Sequence, residues 1–269
     1  MENGQRKTIL TIGVTLTLLV SCLFAGPNHP VQAQTPTAAK AKTAPTKTAA
    51  GTTNPVVFDF SQETVGAMPV SFAPAVGNWS ISIDKDNKVL VVDGSRWRQG
   101  QPSAGLADKA RALYGERYAE FLDNVKAYAY YPFAVAQSVE NFTDGKISVR
   151  FKAIAGRIDQ GAGILFDLKA NGDYYAIRAN PLENNLVLWR FKQGRRSSVS
   201  WIRNVSTASR KWHDLEVRID KNLITGYVNG RQYLSHKLPQ PVSGKVGLWT
   251  KADSVIYFDD YTVIADQKK

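Results

Sequence analysis

The chain is 269 residues long, 43% hydrophobic, 10% aromatic and 21% charged, which excludes wholesale disorder and leaves enough apolar side chain for a core. Its formal charge is +11, from 34 Lys and Arg against 23 Asp and Glu. A single cysteine, Cys22, excludes an internal disulfide and a thiolate zinc cluster, and three histidines leave little for a His-based metal site or a Ser-His-Asp triad.

Arg6 and Lys7 precede an uncharged run from Thr8 to Ala25, and the small-residue site Val31-Gln32-Ala33 follows, the pattern of an export signal over residues 1–33. A second reading takes Leu19-Val20-Ser21-Cys22 as a lipoprotein box, in which a lipidated Cys22 attaches the mature protein to the envelope. A third, an uncleaved anchor, has an apolar run marginal for a span of about 20 residues. All three put the rest of the chain outside the cytosol, secreted or in the periplasm or cell envelope. Residues 34–55 are almost entirely Ala, Thr, Lys, Pro and Gly, with no aromatic, Leu or Ile, so they predict a disordered linker.

From residue 56 the pattern changes to a period of two. In Lys146 to Ile154, Ile147, Val149, Phe151 and Ala153 alternate with polar neighbours, and in Trp212 to Asp220, Leu215, Val217 and Ile219 do the same. Similar signals predict strands at Val56–Phe60, Trp79–Asp84, Val89–Asp93, Ala134–Val139, Gly163–Leu168, Tyr174–Asn180, Asn185–Lys192, Val199–Arg203, Leu223–Val228, Val246–Thr250 and Val255–Ile264. Turn signals such as Asp144-Gly145, Asn171-Gly172 and Asn229-Gly230 separate them. Many short strands with tight turns predict an all-β antiparallel sandwich or jelly roll, one domain over 56–269. The exception is a helical insertion around 105–127, where Leu106, Ala110 and Leu113, then Tyr118, Phe121, Leu122 and Val125 recur at helical spacing, broken near Gly115. Two roles stand open for it: a lid over one end, or a cover for an edge or a gap in the core.

Asp159-Gln160-Gly161-Ala162-Gly163-Ile164-Leu165-Phe166, Asp173-Tyr174-Tyr175-Ala176-Ile177-Arg178-Ala179-Asn180, Tyr227-Val228-Asn229-Gly230 and Gly244-Lys245-Val246-Gly247-Leu248-Trp249 together resemble the concanavalin A-like lectin/glucanase superfamily. More particularly they are similar to bacterial secreted domains of the 3-keto-disaccharide hydrolase group, which are family-16-glycoside-hydrolase-like. The resemblance implies a concanavalin A-like jelly roll and a glycan or disaccharide ligand. It leaves open a lectin-like binding domain, an enzyme acting on a 3-keto-disaccharide or related glycoside, and a laminin-G-like adhesion domain.

A retaining glycosidase needs two carboxyls about 5 Å apart. The Glu-x-Asp-x-Glu strand motif of family-16 glucanases is absent, and the nearest spacing, Asp214-x-Glu216-x-Arg218-x-Asp220, interleaves a cation. A 3-keto sugar needs less, since its ketone acidifies the neighbouring C–H and one base with one electrophile suffices. Tyr174, Arg178 and Asn180 share strand parity opposite Tyr175, Ile177 and Ala179, so they are expected to project together from the non-core face, with Asn185 after the next turn. Glu183 is the acid nearest them, the candidate base. Trp249, Lys251 and Asp253 alternate into a loop and form a second sugar-binding candidate, an apolar ring plus two hydroxyl-bonding groups; core and turn-capping roles are the other reading. Trp189 has no placement, because residues 185–192 are apolar at both parities.

Asp259-Asp260 offers oxygens to a structural Ca2+, or hydrogen-bond acceptors to the fold; no other cofactor is expected. The stretch from Arg190 to Lys211 carries seven cations and no acid, which suits an acidic polysaccharide or phospholipid surface, or simply hairpins with solvated tips. No nucleic-acid partner is expected.

Overall fold

The computed structural model describes residues 54–98, 105–125 and 130–266; the export signal over 1–33, with Cys22, and nearly all of the linker over 34–55 lie outside them. Within the described residues the alternating segments form strands in two antiparallel sheets. The first half supplies β1 (Val56–Phe58), β2 (Phe72–Val76), β3 (Trp79–Asp84), β4 (Asn87–Asp93), β5 (Phe133–Ala136), β6 (Gly145–Ala155) and β7 (Ala162–Leu168). The second supplies β8 (Tyr174–Asn180), β9 (Asn185–Lys192), β10 (Arg195–Arg203), β11 (Trp212–Asp220), β12 (Leu223–Val228), β13 (Arg231–Lys237), β14 (Lys245–Thr250) and β15 (Val255–Ala265).

One sheet runs β13-β12-β11-β6-β15-β4-β3, with β1 paired to β15, and the other runs β10-β9-β8-β7-β14-β5-β2. Their facing sides bury one continuous core. Ile147, Val149 and Phe151 of β6 and Leu215 and Val217 of β11 meet Ile164, Phe166, Ile177, Leu186 and Leu248 of the opposite sheet. The side-chain period of two thus places the expected residues inward, and the fold is the predicted all-β jelly-roll sandwich.

Two strands were not anticipated. β2 reads Phe-Ala-Pro-Ala-Val, and Pro74 is tolerated because β2 is the edge of its sheet and needs no donor on its free side. In β13, also an edge, only Leu234 is buried, so the apolar period is too weak to read. β10 begins at Arg195, four residues before its expected start, because a register shift between Ser198 and Ser200 breaks the alternation.

The helical insertion has its break where Gly115 predicts it. α1 (Leu106–Tyr114) and α2 (Tyr118–Val125) flank a 3-10 turn over Gly115–Arg117, and Gly115 takes φ +53°. The pair roofs the outer face of the seven-stranded sheet. Leu106, Ala110, Phe121 and Val125 pack on Ala75, Val76, Val135, Leu165, Tyr174 and Phe191, a second core separate from the first. Asn124 at the end of α2 donates its amide to the carbonyl of Asn171 in the β7–β8 turn, which ties the roof to the sheet. Of the two expected roles the structure gives the cover, placed on a sheet face.

Phe121 is fully buried at the centre of this roof. Phe121→Ala removes a ring that the helices cannot collapse to replace, and should lower stability by about 3–5 kcal/mol in chemical denaturation. The far-UV strand signal should persist, since the inter-sheet core is untouched.

Candidate functional site

The roof does not cover the whole outer face. Towards the start of β7 and the end of β8 the same face carries polar and aromatic side chains, and the expected site residues lie here in register. Trp201 of β10 pairs with Val187 of β9, Val187 with Arg178 of β8, Arg178 with Gly163 of β7, and Gly163 with Trp249 of β14. Two glycines on β7 and its approach make the row possible. A Cβ at Gly161 would come 2.5 Å from Arg178 Cδ, and one at Gly163 would press at 3.2 Å on the Trp249 ring, so both long side chains lie flat over bare backbone.

Parity sends Tyr174, Arg178 and Asn180 to the face opposite Ile177 and Ala179, as expected, but that face is covered. Tyr174 and Trp249 are sealed in the second core, where the Trp249 indole N–H donates to the Tyr174 hydroxyl at 3.2 Å. Neither ring is open to a ligand. Arg178 is only 2% exposed and works at the centre of an ionic network. Its Nη2 donates to Glu183 at 2.9 Å and Asn185 at 3.2 Å, and its Nη1 lies 3.7 Å from the fully buried carboxylate of Asp159. Asp159 also accepts from Lys251 Nζ at 2.7 Å, Asn180 Nδ2 at 3.1 Å and the Gly161 N–H at 2.7 Å. Asn180 and Asn185 are both buried, and each has its amide group engaged on both sides. Asp253 accepts the backbone N–H groups of Arg157, Ile158 and Asp159 at 2.8–3.0 Å. Burial raises the Asp253 pKa, but those N–H groups outweigh it and hold the carboxyl below its ordinary value.

Glu183 reaches water, with its side chain 36% exposed. Burial pushes its pKa up, yet the Arg178 charge and the bonds from Asn185 and Arg178 prevail and hold it below the usual glutamate range. Both bonds fall on Oε2, which leaves Oε1 directed to no partner among the described residues.

Above the network lies an aromatic layer that the sequence pattern did not disclose. Trp189 and Trp201 meet edge to face at 5.5 Å, and Trp201 is 45% exposed. The Arg196 guanidinium sits 4.2 Å from the Trp189 ring centre and 5.1 Å from that of Tyr131. Tyr131 stacks on Trp249 at 5.6 Å, its neighbour Tyr130 meets Trp97 at 4.5 Å, and Lys251 lies 5.6 Å from the Tyr130 ring. Three buried donors under this layer, Arg178 Nε and Nη1 and Trp189 Nε1, have no hydrogen-bond partner among the described residues.

Asp259 and Asp260 lie on the other sheet. Arg150 pairs with Asp260 at 3.0 Å and Asp259 at 3.8 Å, and Asn87 donates to Asp259 at 2.7 Å. Burial and then the Asp260 charge raise the Asp259 pKa. Among the described residues no three acidic, His or Cys side chains gather as metal ligands, and both acids of the pair face Arg150.

No protein-family model matches the sequence, and no curated protein matches it in sequence. Solved structures do match in shape. The chain is similar to a carbohydrate binding module, CBM66, from Bacillus subtilis, at 11% identity and a TM-score of 0.51, over 74% of this chain and 98% of that one. It is also similar to the cellulose induced protein Cip1, at 12% identity and 0.47 over 80% and 98%, and to a Bacillus licheniformis beta-glucanase, at 13% and 0.35 over 51% and 71%. At such identities the likeness speaks for architecture alone: the chain has the concanavalin A-like jelly-roll fold that its sequence resembles.

Proposed function

We propose that this is a glycan-binding domain of an exported protein, and that a sugar chain lies along the uncovered part of the seven-stranded sheet against Trp201, which the buried Trp189 backs, and the half-buried Tyr131. The observation that carries the reading is the aromatic layer itself. An indole 45% exposed on a strand, set edge to face against a second indole, offers the flat apolar surface that the C–H face of a pyranose fits. Arg196, Lys251 and the free Oε1 of Glu183 flank it as donors and an acceptor for ring hydroxyls. The similarity to a carbohydrate binding module agrees with this reading.

Binding without catalysis is favoured by the state of the two carboxyls beside the layer, Asp159 and Glu183. Asp159 is fully buried and bonded to Lys251, Asn180 and Gly161, out of a ligand's reach, and Glu183 is held ionised, the opposite of the acid of raised pKa that glycoside cleavage requires. A second reading rests on Glu183 Oε1: an ionised, water-accessible carboxylate suits proton abstraction beside the ketone of a 3-keto-disaccharide, with Glu183 as base. Turnover of a 3-keto-disaccharide that disappears in Glu183→Gln would establish that reading in place of simple binding.

Two substitutions separate the layer from its support. Trp201→Ala should weaken binding of neutral oligosaccharides at least tenfold in calorimetry and leave the unfolding temperature nearly unchanged; unaltered affinity would refute the site. Arg178→Ala should do more to the fold, costing about 3–5 kcal/mol, since it strands the buried Asp159 with one fewer counter-charge.

The Glu183 pKa is depressed by folding, so its ion pair stabilises the protein above the unfolded glutamate value, and that stability is lost as pH falls through the folded value. Glu183→Gln should therefore flatten the acid limb of the stability profile below about pH 4 and leave its slope near neutrality unchanged, as read by thermal melts across pH.

A further inference from the structure

The run of seven cations from Arg190 to Lys211 does not form one patch. Arg196 joins the aromatic layer on one sheet, whereas Arg210 and Lys211 lie at the entry to β11 on the other. There the Arg210 backbone takes φ +62° and its N–H donates to the Ala153 carbonyl at 2.7 Å, which pins the loop over the end of β6. The turn between β3 and β4 leans onto the same place: Asp84 at its base pairs with Lys152 of β6 and accepts the Trp212 indole N–H at 3.0 Å. Between loop and turn is an open cleft of about 560 Å3 lined by Asp84, Arg150, Lys152, Arg210, Lys211 and Trp212, among others.

The charges around this cleft do not cancel. Arg150 spends its charge on Asp260 and Asp259, and Lys152 on Asp84. Lys85, Arg210 and Lys211 are exposed, line the cleft, and make no ion pair among the described residues, with Asp86 as the only acid there similarly unpaired. Three cations on two opposing walls therefore meet over a floor in which Trp212 is flanked by Arg150 and Lys152 at 5.0 and 5.1 Å from its ring. One acceptor is left in that floor. Both bonds to Asp84 fall on Oδ2, so Oδ1 is free for a hydroxyl.

We propose that this cleft is a second ligand site, on the opposite face of the sandwich from the aromatic layer, and that it takes an acidic polysaccharide, a sugar bearing a carboxylate or sulfate. The cations receive the acid group as charge-assisted hydrogen-bond donors, and Asp84 Oδ1 accepts from a neighbouring hydroxyl. A ligand with an anion and hydroxyls on one rigid ring satisfies both, whereas an inorganic anion leaves the acceptor unused. A lipid surface fits less well, because Trp212 is half-buried at the bottom of a cleft and cannot reach a bilayer interface.

The test uses the full-length protein and titrates oligogalacturonate, sulfated dextran and neutral dextran of similar length by calorimetry. The wild type should bind the two anionic polymers, more weakly as salt rises, and ignore the neutral one. Arg210→Gln with Lys211→Gln should weaken that binding at least tenfold with an unchanged melting temperature. Arg231→Gln with Lys237→Gln, which removes the same charge from the distant strand β13, should not. Should the first pair destabilise the protein, Lys85→Gln on the other wall reads the same site and should weaken binding at least threefold. Failure of both anionic polymers to bind, or equal loss from the β13 pair, overturns the proposal. So does capture by phosphatidylglycerol vesicles that outcompetes the polymers and vanishes with the same two substitutions, which would assign the cleft to a lipid headgroup.

Discussion

The polar end of the seven-stranded sheet hangs on one carboxylate that water does not reach. Asp159 draws Lys251 of the loop after β14, Asn180 at the end of β8 and the Gly161 backbone at the entry to β7 to a single point, with Arg178 across from it. A buried charge of this kind is tolerable only when each partner is in place, and replacing any one leaves the others uncompensated. Asp253 secures the arrangement from below by taking three consecutive backbone N–H groups, which fixes the loop on which Asp159 sits. The aromatic layer stands on this base, because Trp189 lies 5.9 Å from the Arg178 guanidinium and Tyr130 lies against Lys251.

A second constraint comes from the sheet itself. β9 buries Leu186 and Leu188 in the inter-sheet core and Val187, Trp189 and Phe191 beneath or beside the helical roof. A sheet apolar on both faces cannot be left half wet, so the insertion of α1 and α2 is a requirement of the strand sequences beneath it. The roof then decides where a ligand can lie, because only the part of the face it leaves uncovered meets solvent.

The sequence discloses which way each side chain points and conceals what covers it. Parity set Ile177 and Ala179 inward and Tyr174, Arg178 and Asn180 outward, and the structure agrees on all five directions. Outward proved to mean a second interior for Tyr174 and Trp249, and an ionic interior for Arg178. No local pattern announces that, since much of the cover comes from other parts of the chain, Phe121 and Phe133 before Tyr174 and Trp249 after it. The failure over Trp189 has the same origin: with both faces of β9 buried, its strand has no polar parity against which to read it. Trp201 was hidden differently, by the register shift before Ser200 that breaks the alternation of β10. Tyr130 and Tyr131 precede a strand and belong to no period. That Glu183 neighbours Arg178 was legible, because it is the acid in the tight turn directly after the strand that carries Arg178.

The shape of β10 has a consequence for handling the protein at high concentration. Nine residues long and last in its sheet, it presents one row of backbone donors and acceptors to the solvent, the template from which strand-to-strand association between molecules begins. The shift between Ser198 and Ser200 bends that row, and Arg195, Arg196 and Arg203 place like charges along it. The arginines of this strand therefore act as gatekeepers of solubility as well as neighbours of the aromatic layer. Removing them to study a ligand also removes the repulsion that keeps two copies of the edge apart.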